Sequence, residues 1–431
     1  MKISTPTNKV IEKAGEKIMI RGFVHALRVQ SKIIFLVIRD ISGTIQTVIV
    51  KDSPAFETAK NISLESVLEI YGLAKKSEQA QGGAEIDVDS IVVLSKADPE
   101  IPIPVVIKKG GEETEMPIRL DYRWIDLRKP EKTKIFKVWT ELEKGFREYW
   151  LSNNYMQIYP PSFMNTPSET GASVFEVKYF KGKAYLAQSP QFYKQMAMAA
   201  GFEKVFMVAP VFRAEESFTT RHLTEFTGWD FEISYIESHH DIMDAEEGMI
   251  ISGFKAVKKA FPDITIDIPT QPFPRIPMVE AKKILKERGV LSAEEHDLAP
   301  EEERGIAEYV KEKYGHDFVF ITDYHKSKSA FYHMRHENDN DRAKRADLIY
   351  RGVEITTLAQ REHRVDILEK QALDKGMHLE SLKDYINFFR YGCPPHGGGG
   401  IGPARLITMM LGLSNIREAT YLPRDVKRLN P

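Results

Sequence analysis

Between residues 97 and 117 the chain reads ADPEIPIPVVIKKGGEETEMP, four prolines and a Gly-Gly among charges. Such a stretch continues neither a helix nor a central strand, and its composition is that of a linker. It divides the chain into two parts whose hydrophobic patterns differ. Ahead of it, KIMIRGFVHALRVQSKIIFLVIRDISGTIQTVIV (17–50) alternates as three strands, the last two joined by the turn Asp40-Ile41-Ser42-Gly43. A polar helical piece (54–64) and strands over 66–73 and 84–94 follow. Five short strands with one small helix is the order of a Greek-key barrel of the OB type, or of another five-stranded barrel. Beyond the linker, residues 134–153 carry Phe136, Trp139, Leu142, Phe146, Tyr149 and Trp150 at helical period. Extended segments follow (YLAQSP, EKVFMVAPVFRAE, EFTGWDFEISY), then helices over 238–315, the strand-like DFVFITDY and RADLIYRGVEITT, and a last helix. Strands at both ends and helices between them predict an α+β domain, an antiparallel sheet flanked by helices. The expected division is a barrel over 1–100, a linker over 101–128 and the second domain over 129–431.

Bulk properties exclude several classes. With 42% hydrophobic and 28% charged residues the chain is neither disordered nor collagenous. Its net charge of −2 requires any nucleic acid to be met by a local basic patch. No segment approaches the ~18–20 apolar residues of a membrane span, and the first residues, MKISTPTNKVIEKAGEK, lack a signal peptide's apolar core, so the expected location is cytoplasmic. Cys393 is the only cysteine, which excludes internal disulfides and cysteine-based zinc sites and reads as an inert packing thiol.

Three stretches carry chemistry. In FRAEESFTTRHLTEF (212–226), Arg213 and Glu215 alternate with Phe212 and Ala214, so a strand would turn both charges to one face, with Arg221 and His222 at the loop tip. Asp230 and Glu232, again two apart, extend that polar floor. A guanidinium there can take a phosphate oxygen, and a carboxylate can accept from an amine; cross-strand surface ion pairs would read the same. In HGGGGIGPARL (396–406) the glycines permit close approach, Pro403 suits a first helical turn and Arg405 projects from it. In DLIYRGVEITTLAQREHR (347–364), Asp347 and Glu354 sit seven apart on an extended stretch, suited to Mg²⁺ bound partly through phosphates, with Gln360 and Arg361 following.

These segments resemble motifs of the class II aminoacyl-tRNA synthetases. FRAEE…TTRHLTEF resembles motif 2, GGGGIGPARL motif 3, and the helix and strand ending in Tyr159-Pro160-Pro161 motif 1. Behind an OB barrel, this order is that of subclass IIb, whose members take aspartate, asparagine or lysine. YLAQSPQFYKQM, YRGVEI…QREHR, FRYGCPPHGG and NIREATYLPRDVKRLNP extend the similarity over nearly the whole chain, which is most similar to the short archaeal and eukaryotic aspartyl type. The resemblance implies activation of L-aspartate by ATP and transfer to tRNA-Asp, in a homodimer formed through motif 1. Arg213, Glu215 and His222 would grip ATP, joined by Arg221 at the loop tip. Phe226 would stack on adenine, with Arg405 over its other face and reaching the γ-phosphate. Asp347 and Glu354 would hold Mg²⁺. Lys194 and Arg361 would hold the substrate side-chain carboxylate, with Glu169, Ser189, Gln191 and Thr357 around the amino acid. On the barrel, Phe35 matches an aromatic that stacks an anticodon base, beside Arg28 and Gln46. His25 resembles the residue of relaxed enzymes that also charge tRNA-Asn, although Gln81 stands where such enzymes often have proline.

Two departures stand out. The chain has Thr357-Leu358-Ala359 where the family has Ser-Gly-Gly or Ser-Gly-Ala, and Ala404 where an acidic residue precedes the motif 3 arginine. A leucine in place of a glycine beside the amino-acid pocket would be expected to narrow it or to shift the backbone. The alternatives are an asparaginyl enzyme, against which Lys194 argues, an adenylate-forming amide synthetase, and a catalytically silent paralogue.

Overall fold

The computed structural model describes residues 3–107, 110–166 and 174–431. The chain forms two compact units, Met1–Lys134 (with Pro431) and Ile135–Asn430.

In the first unit, strands β1 (Lys17–Val29), β2 (Ile33–Arg39), β3 (Thr44–Val50), β4 (Val67–Lys76) and β5 (Ala84–Ser95) close into a barrel in the order β1-β2-β3-β5-β4, with the short helix α1 (Phe56–Lys60) after β3. The period-2 pattern explains the closure: Ile34, Leu36 and Ile38 of β2 and Ile45 and Ile49 of β3 turn inward to a common core with Ile20, Val24 and Ile70. The turn at 40–43 is held by Asp40, whose Oδ1 accepts from the Ser42 and Gly43 amides. Part of the segment expected as a linker is packed. Ile103 and Val105 bury against Ile125, and the helices α2 (Met116–Asp121) and α3 (Arg123–Asp126) carry a buried ion cluster of Arg119, Arg123, Asp126 and Lys129. Prolines stopped regular structure there without preventing burial.

The second unit is built on an eight-stranded sheet. Helix α4 (Pro130–Ser152) is followed by strands β6 (Met156–Gln157), β7 (Phe163–Met164), β8 (Glu176–Tyr179) and β9 (Gly182–Leu186), helix α5 (Gln191–Ala199), strands β10 (Lys204–Phe212) and β11 (Glu225–Ser234) and helix α6 (His239–Ala260). Then come β12 (Arg275–Pro277), α7 (Met278–Glu287), α8 (Pro300–Tyr314), β13 (Phe318–Thr322), β14 (Arg345–Tyr350), β15 (Val353–Gln360), α9 (Val365–Asp374), α10 (Lys383–Arg390), β16 (His396–Ile401) and α11 (Pro403–Met410). The sheet order is β12-β13-β14-β15-β16-β11-β10-β6; β7, β9 and β8 form a separate small sheet. All neighbours in the large sheet are antiparallel except the pairs β12–β13 and β10–β6 at its two edges. One face packs on α4 and α6 around Leu142, Phe146, Trp150, Phe206, Trp229, Phe231, Phe254 and Leu358. The other face carries the site.

Candidate active site

Strand register sets the polar side chains in two rows across four strands. In one row Asp230 of β11 stands opposite Gly400 of β16, Gly400 opposite Thr357 of β15, and Thr357 opposite Asp347 of β14. Two residues along, the row is Glu232, Gly398, Ala359 and Arg345. Charges stand at both ends and small residues in the middle, so the face is a trough. Gly398 is needed there, since a Cβ on it would lie 2.0 Å from the Phe231 carbonyl oxygen and 2.4 Å from Glu232 Oε2, whereas one on Gly400 would stand 3.0 Å from Asp230 Oδ1. The intervening row faces the core, where Phe231, Gly399, Leu358 and Ala346 align. Leu358, fully buried, therefore points away from the trough and does not narrow the pocket.

At one end, Lys194 of α5 is 1% exposed, and its Nζ donates to Asp230 Oδ1 (2.9 Å) and the Gly399 carbonyl (3.0 Å), with Glu232 Oε2 at 3.4 Å. Arg361 donates from Nε to Glu232 Oε1 (2.9 Å) and from Nη2 to Glu232 Oε2 (3.3 Å) and the Gly398 carbonyl (2.8 Å). Burial alone would raise the Glu232 carboxyl, but Arg361 and Lys194 outweigh it and hold it below the usual range. Gln191 Nε2 donates to Gln195, which Tyr385 and His396 also contact. His333 lies beside Arg361, its Nδ1 without a hydrogen-bond partner among the described residues; burial, then Arg361, Arg345 and Lys194, keep its imidazole neutral.

At the other end, Asp347 and Glu354 occupy two arms of a hairpin rather than one extended stretch. Arg351 (φ 48°) and Gly352 (φ 82°) make its two-residue turn, where both positions need positive φ. A bulge between Leu348 and Ile349 brings Glu354 round to the face of Thr357, whose hydroxyl lies 3.4 Å from Glu354 Oε1. Arg345 grips Asp347 with Nε on Oδ1 (3.2 Å) and Nη2 on Oδ2 (2.7 Å). Burial pushes the Asp347 carboxyl up even against Arg345, and nearby Glu354 adds to the rise. Arg405, from the first turn of α11, donates to the Glu354 carbonyl (2.9 Å) and lies 3.7 Å from Glu354 Oε1. Strand β10 stops at Phe212, so Arg213 and Glu215 sit in the loop after it, not on a strand face; beyond Phe212 only the small, half-buried Ala214 alternates with the charges. The Arg213 guanidinium lies 5.6 Å from the Phe226 ring centre. Arg221 is held by Glu303 of α8 (2.7 Å), and burial with Arg405 and Arg221 lowers His222 towards the neutral form.

A cavity of about 460 Å³ opens on this face. Its lining joins Ser189, Gln191, Lys194, Arg213, Glu215, Arg221, His222, Phe226, Glu354, Thr357, Arg361 and Arg405 from four separated stretches of chain. Asp347 lies under the wall, and Glu169 falls outside the described residues. Sequence reasoning missed Lys328, Tyr332, His333 and Arg345 in the lining, and Glu303 behind it. Asp230 and Glu232 were visible as a polar pair on a strand but carried no assigned role.

A metal ion suits Glu354 better than Asp347. Glu354 faces the cavity, is 36% exposed, and meets its partners at 3.4 and 3.7 Å, so oxygen lone pairs remain available. Both Asp347 oxygens are taken by Arg345. Among the described residues no group of three or more His, Cys, Asp and Glu could hold a metal without other ligands.

On the barrel, Arg28 stands opposite Phe35 and Val37 opposite Gln46, so the side chains of Arg28, Phe35 and Gln46 share the outer face while Ile34 and Leu36 turn inward. Gln46 donates to Glu85 (3.0 Å). His25 is the extra residue of a bulge between Val24 and Ala26, its Nδ1 2.8 Å from Arg39, which in turn grips Glu65. Gln81 lies in an exposed turn. Burial pushes the Cys393 thiol up to about 12, an unreactive state. No helix among the described residues is long and apolar enough to cross a membrane.

Residues 115–426 match the model of the class II tRNA synthetases (D, K and N), and residues 18–94 that of the OB-fold nucleic acid binding domain. An aspartate–tRNA(Asp/Asn) ligase of Aeropyrum pernix is 39% identical over 97% of this chain and 96% of its own. An aspartate–tRNA(Asp) ligase of Thermoplasma volcanium is 39% identical over 97% of each. Among solved structures, an asparaginyl-tRNA synthetase of Pyrococcus horikoshii complexed with asparaginyl-adenylate superposes with a TM-score of 0.91 at 35% identity, covering all of both chains. With its OB barrel and its catalytic sheet both accounted for, the chain belongs to the class II tRNA synthetases of the aspartate, lysine and asparagine group.

Proposed function

We propose that the protein is an aspartate–tRNA ligase, which activates L-aspartate with ATP and transfers it to tRNA-Asp and, through the His25 bulge, to tRNA-Asn. The observation that carries this reading is the buried set Lys194, Arg361, Asp230 and Glu232 at one end of the trough. The substrate ammonium finds Asp230, which lines the cavity. Its side-chain carboxylate finds Arg361, whose Nη1 hydrogen-bonds nothing among the described residues while Nε and Nη2 are spent on Glu232 and Gly398. A guanidinium fixed by a buried carboxylate loses no freedom when substrate arrives.

The α-carboxylate attacks the α-phosphorus of ATP, forming aspartyl-adenylate and releasing pyrophosphate. Arg213 and Arg405 lie at the nucleotide end, where they offset charge on the phosphates, and Phe226 offers adenine a stacking face. Bound with the phosphates, Mg²⁺ adds positive charge there, and Glu354 would hold it. His222, held neutral, does not repel an incoming cation. In the second step the 3′-terminal ribose hydroxyl of tRNA takes the aspartyl group. Arg28, Phe35 and Gln46 on the barrel read the anticodon. Leu151, Met156 and Tyr159, exposed around the edge strand β6, are covered by a second copy of the chain in a homodimer.

One observation favours asparagine instead: the ammonium of Lys194 has Asp230, Gly399 and Glu232 as neighbours, so its charge is already compensated. Charging of tRNA-Asp and tRNA-Asn transcripts with radiolabelled aspartate or asparagine separates the readings. Aspartate on both transcripts is the expected result. Asparagine transfer would overturn the amino-acid assignment, and aspartate on tRNA-Asp alone would remove the role given to His25.

A further inference from the structure

The charged groups around the cavity come in pairs. Lys194–Asp230 and Arg361–Glu232 close at 2.9 Å, and Arg345–Asp347 and Arg221–Glu303 at 2.7 Å, whereas Arg405–Glu354 stands open at 3.7 Å. Arg345 is the most firmly placed of the cations at the nucleotide end. Its guanidinium lies 4.2 Å from the Tyr324 ring centre and donates to the Lys328 carbonyl, and its side chain is 12% exposed. It nevertheless lines the cavity, while Asp347 beneath it does not. A planar fork bound edge-on to a carboxylate can present its remaining N–H groups to a phosphate.

We propose that Arg345, locked on Asp347, is a built-in cation for the ATP phosphates in the place of a metal ion shared by Asp347 and Glu354, and that of these two carboxylates Glu354 alone is open to Mg²⁺. The proposal rests on the reading of the cavity as an ATP site and assigns its positive charge. Asp347 is then a positioning residue: it orients Arg345 and touches no metal. The loose Arg405–Glu354 pair is the one that opens, releasing Glu354 to the metal and Arg405 to the phosphates.

The test counts Mn²⁺ by electron paramagnetic resonance as it is titrated into the full-length protein holding a non-hydrolysable ATP analogue. Asp347→Asn should leave the number of bound Mn²⁺ unchanged, and Glu354→Gln should lower it by one. Arg345→Gln should weaken analogue binding about tenfold at low Mn²⁺, the loss of one charge-assisted contact. It should also gain a Mn²⁺, because Asp347 is freed; Arg345→Lys, which keeps the charge, should not. Adding Asp347→Asn to Arg345→Gln should remove the extra ion. Loss of a Mn²⁺ in Asp347→Asn alone, or no gain in a folded Arg345→Gln, would overturn the proposal. If the unmodified protein bound no analogue at any Mn²⁺ concentration, the reading of the cavity would fall first and this inference with it.

Discussion

The two ends of the trough are built from the same residue types and differ in how tightly these are held. At the Lys194 end the ions are almost fully buried and close to 2.9 Å, with backbone carbonyls of the glycine strand taking further hydrogens. At the Arg405 end, Arg405 and Glu354 are 22% and 36% exposed and 3.7 Å apart, and Arg213 rests near an aromatic ring. Charges fixed in low dielectric discriminate between ligands, since any mismatch leaves a buried ion unpaired. Charges that stay partly hydrated can rearrange around a ligand that arrives, reacts and leaves as pyrophosphate. The tight end thus suits choice, the loose end turnover.

That contrast can be broken by mutation. Glu232→Ala strands Arg361 and leaves Lys194 with Asp230 as its one carboxylate, so it should cost about 3–5 kcal/mol, seen as a fall in the denaturation midpoint of the catalytic unit together with loss of activity. Arg405→Ala should lower aspartate-dependent pyrophosphate exchange about 10²–10³-fold while moving the midpoint by less than about 1 kcal/mol. Equal stability losses at both ends would erase the distinction. Leu358→Ala, on the opposite face, should cost about 2 kcal/mol or more in stability yet leave the preference for aspartate over asparagine within about twofold; a larger change in preference would mean that the core face also sets selectivity. A pH-dependent effect concerns Glu246 of α6, which is fully buried beside Thr356. Burial raises its carboxyl from 4.5 to about 8, so the stability its neutral form contributes is complete below pH 4.5 and lost as pH rises through 8. Glu246→Gln should therefore melt progressively above the unmodified protein as pH goes from 5 to 8, with the gap level at higher pH. A constant gap would show that Glu246 does not titrate in this range.

Much of this architecture is readable from local pattern. Alternation in β1 to β5 and the Asp40 turn define the barrel, and the helical face from Phe136 to Trp150 defines α4, because each pattern reports a single buried side. The site residues in compact motifs could be named for the same reason: a short stretch supplies several of them. Pattern did not show that Asp347 and Glu354 share a hairpin, because the bulge that aligns their faces leaves no mark in residue type. Nor did it find His333 or Lys328, which come from chain between β13 and β14 where no strand period tells which way a side chain points, or Arg345, the first residue of β14. The expected obstruction by Leu358 failed on one fact, the parity of its position on β15. Proline content at 97–117 marks broken secondary structure and is silent on packing: Ile103 and Val105 bury without a strand or helix to carry them.

The glycine strand β16 also bears on inheritance. Every codon change that replaces glycine adds at least a Cβ, and the four positions differ in what that atom would meet. At Gly397 and Gly398 it would press on backbone oxygens and neighbouring side chains at 2.0 to 2.9 Å, so drift there is closed. At Gly399 the nearest contacts are 3.1 to 3.3 Å, from Phe231, Leu358 and Thr356, which belong to the core. At Gly400 the three nearest atoms all belong to the Asp230 carboxylate, from 3.0 Å outward, and it alone of the four lines the cavity. A descendant of this chain has one position on the strand where a methyl group can be tried at modest cost, and that position adjoins the group proposed to receive the amino acid's ammonium.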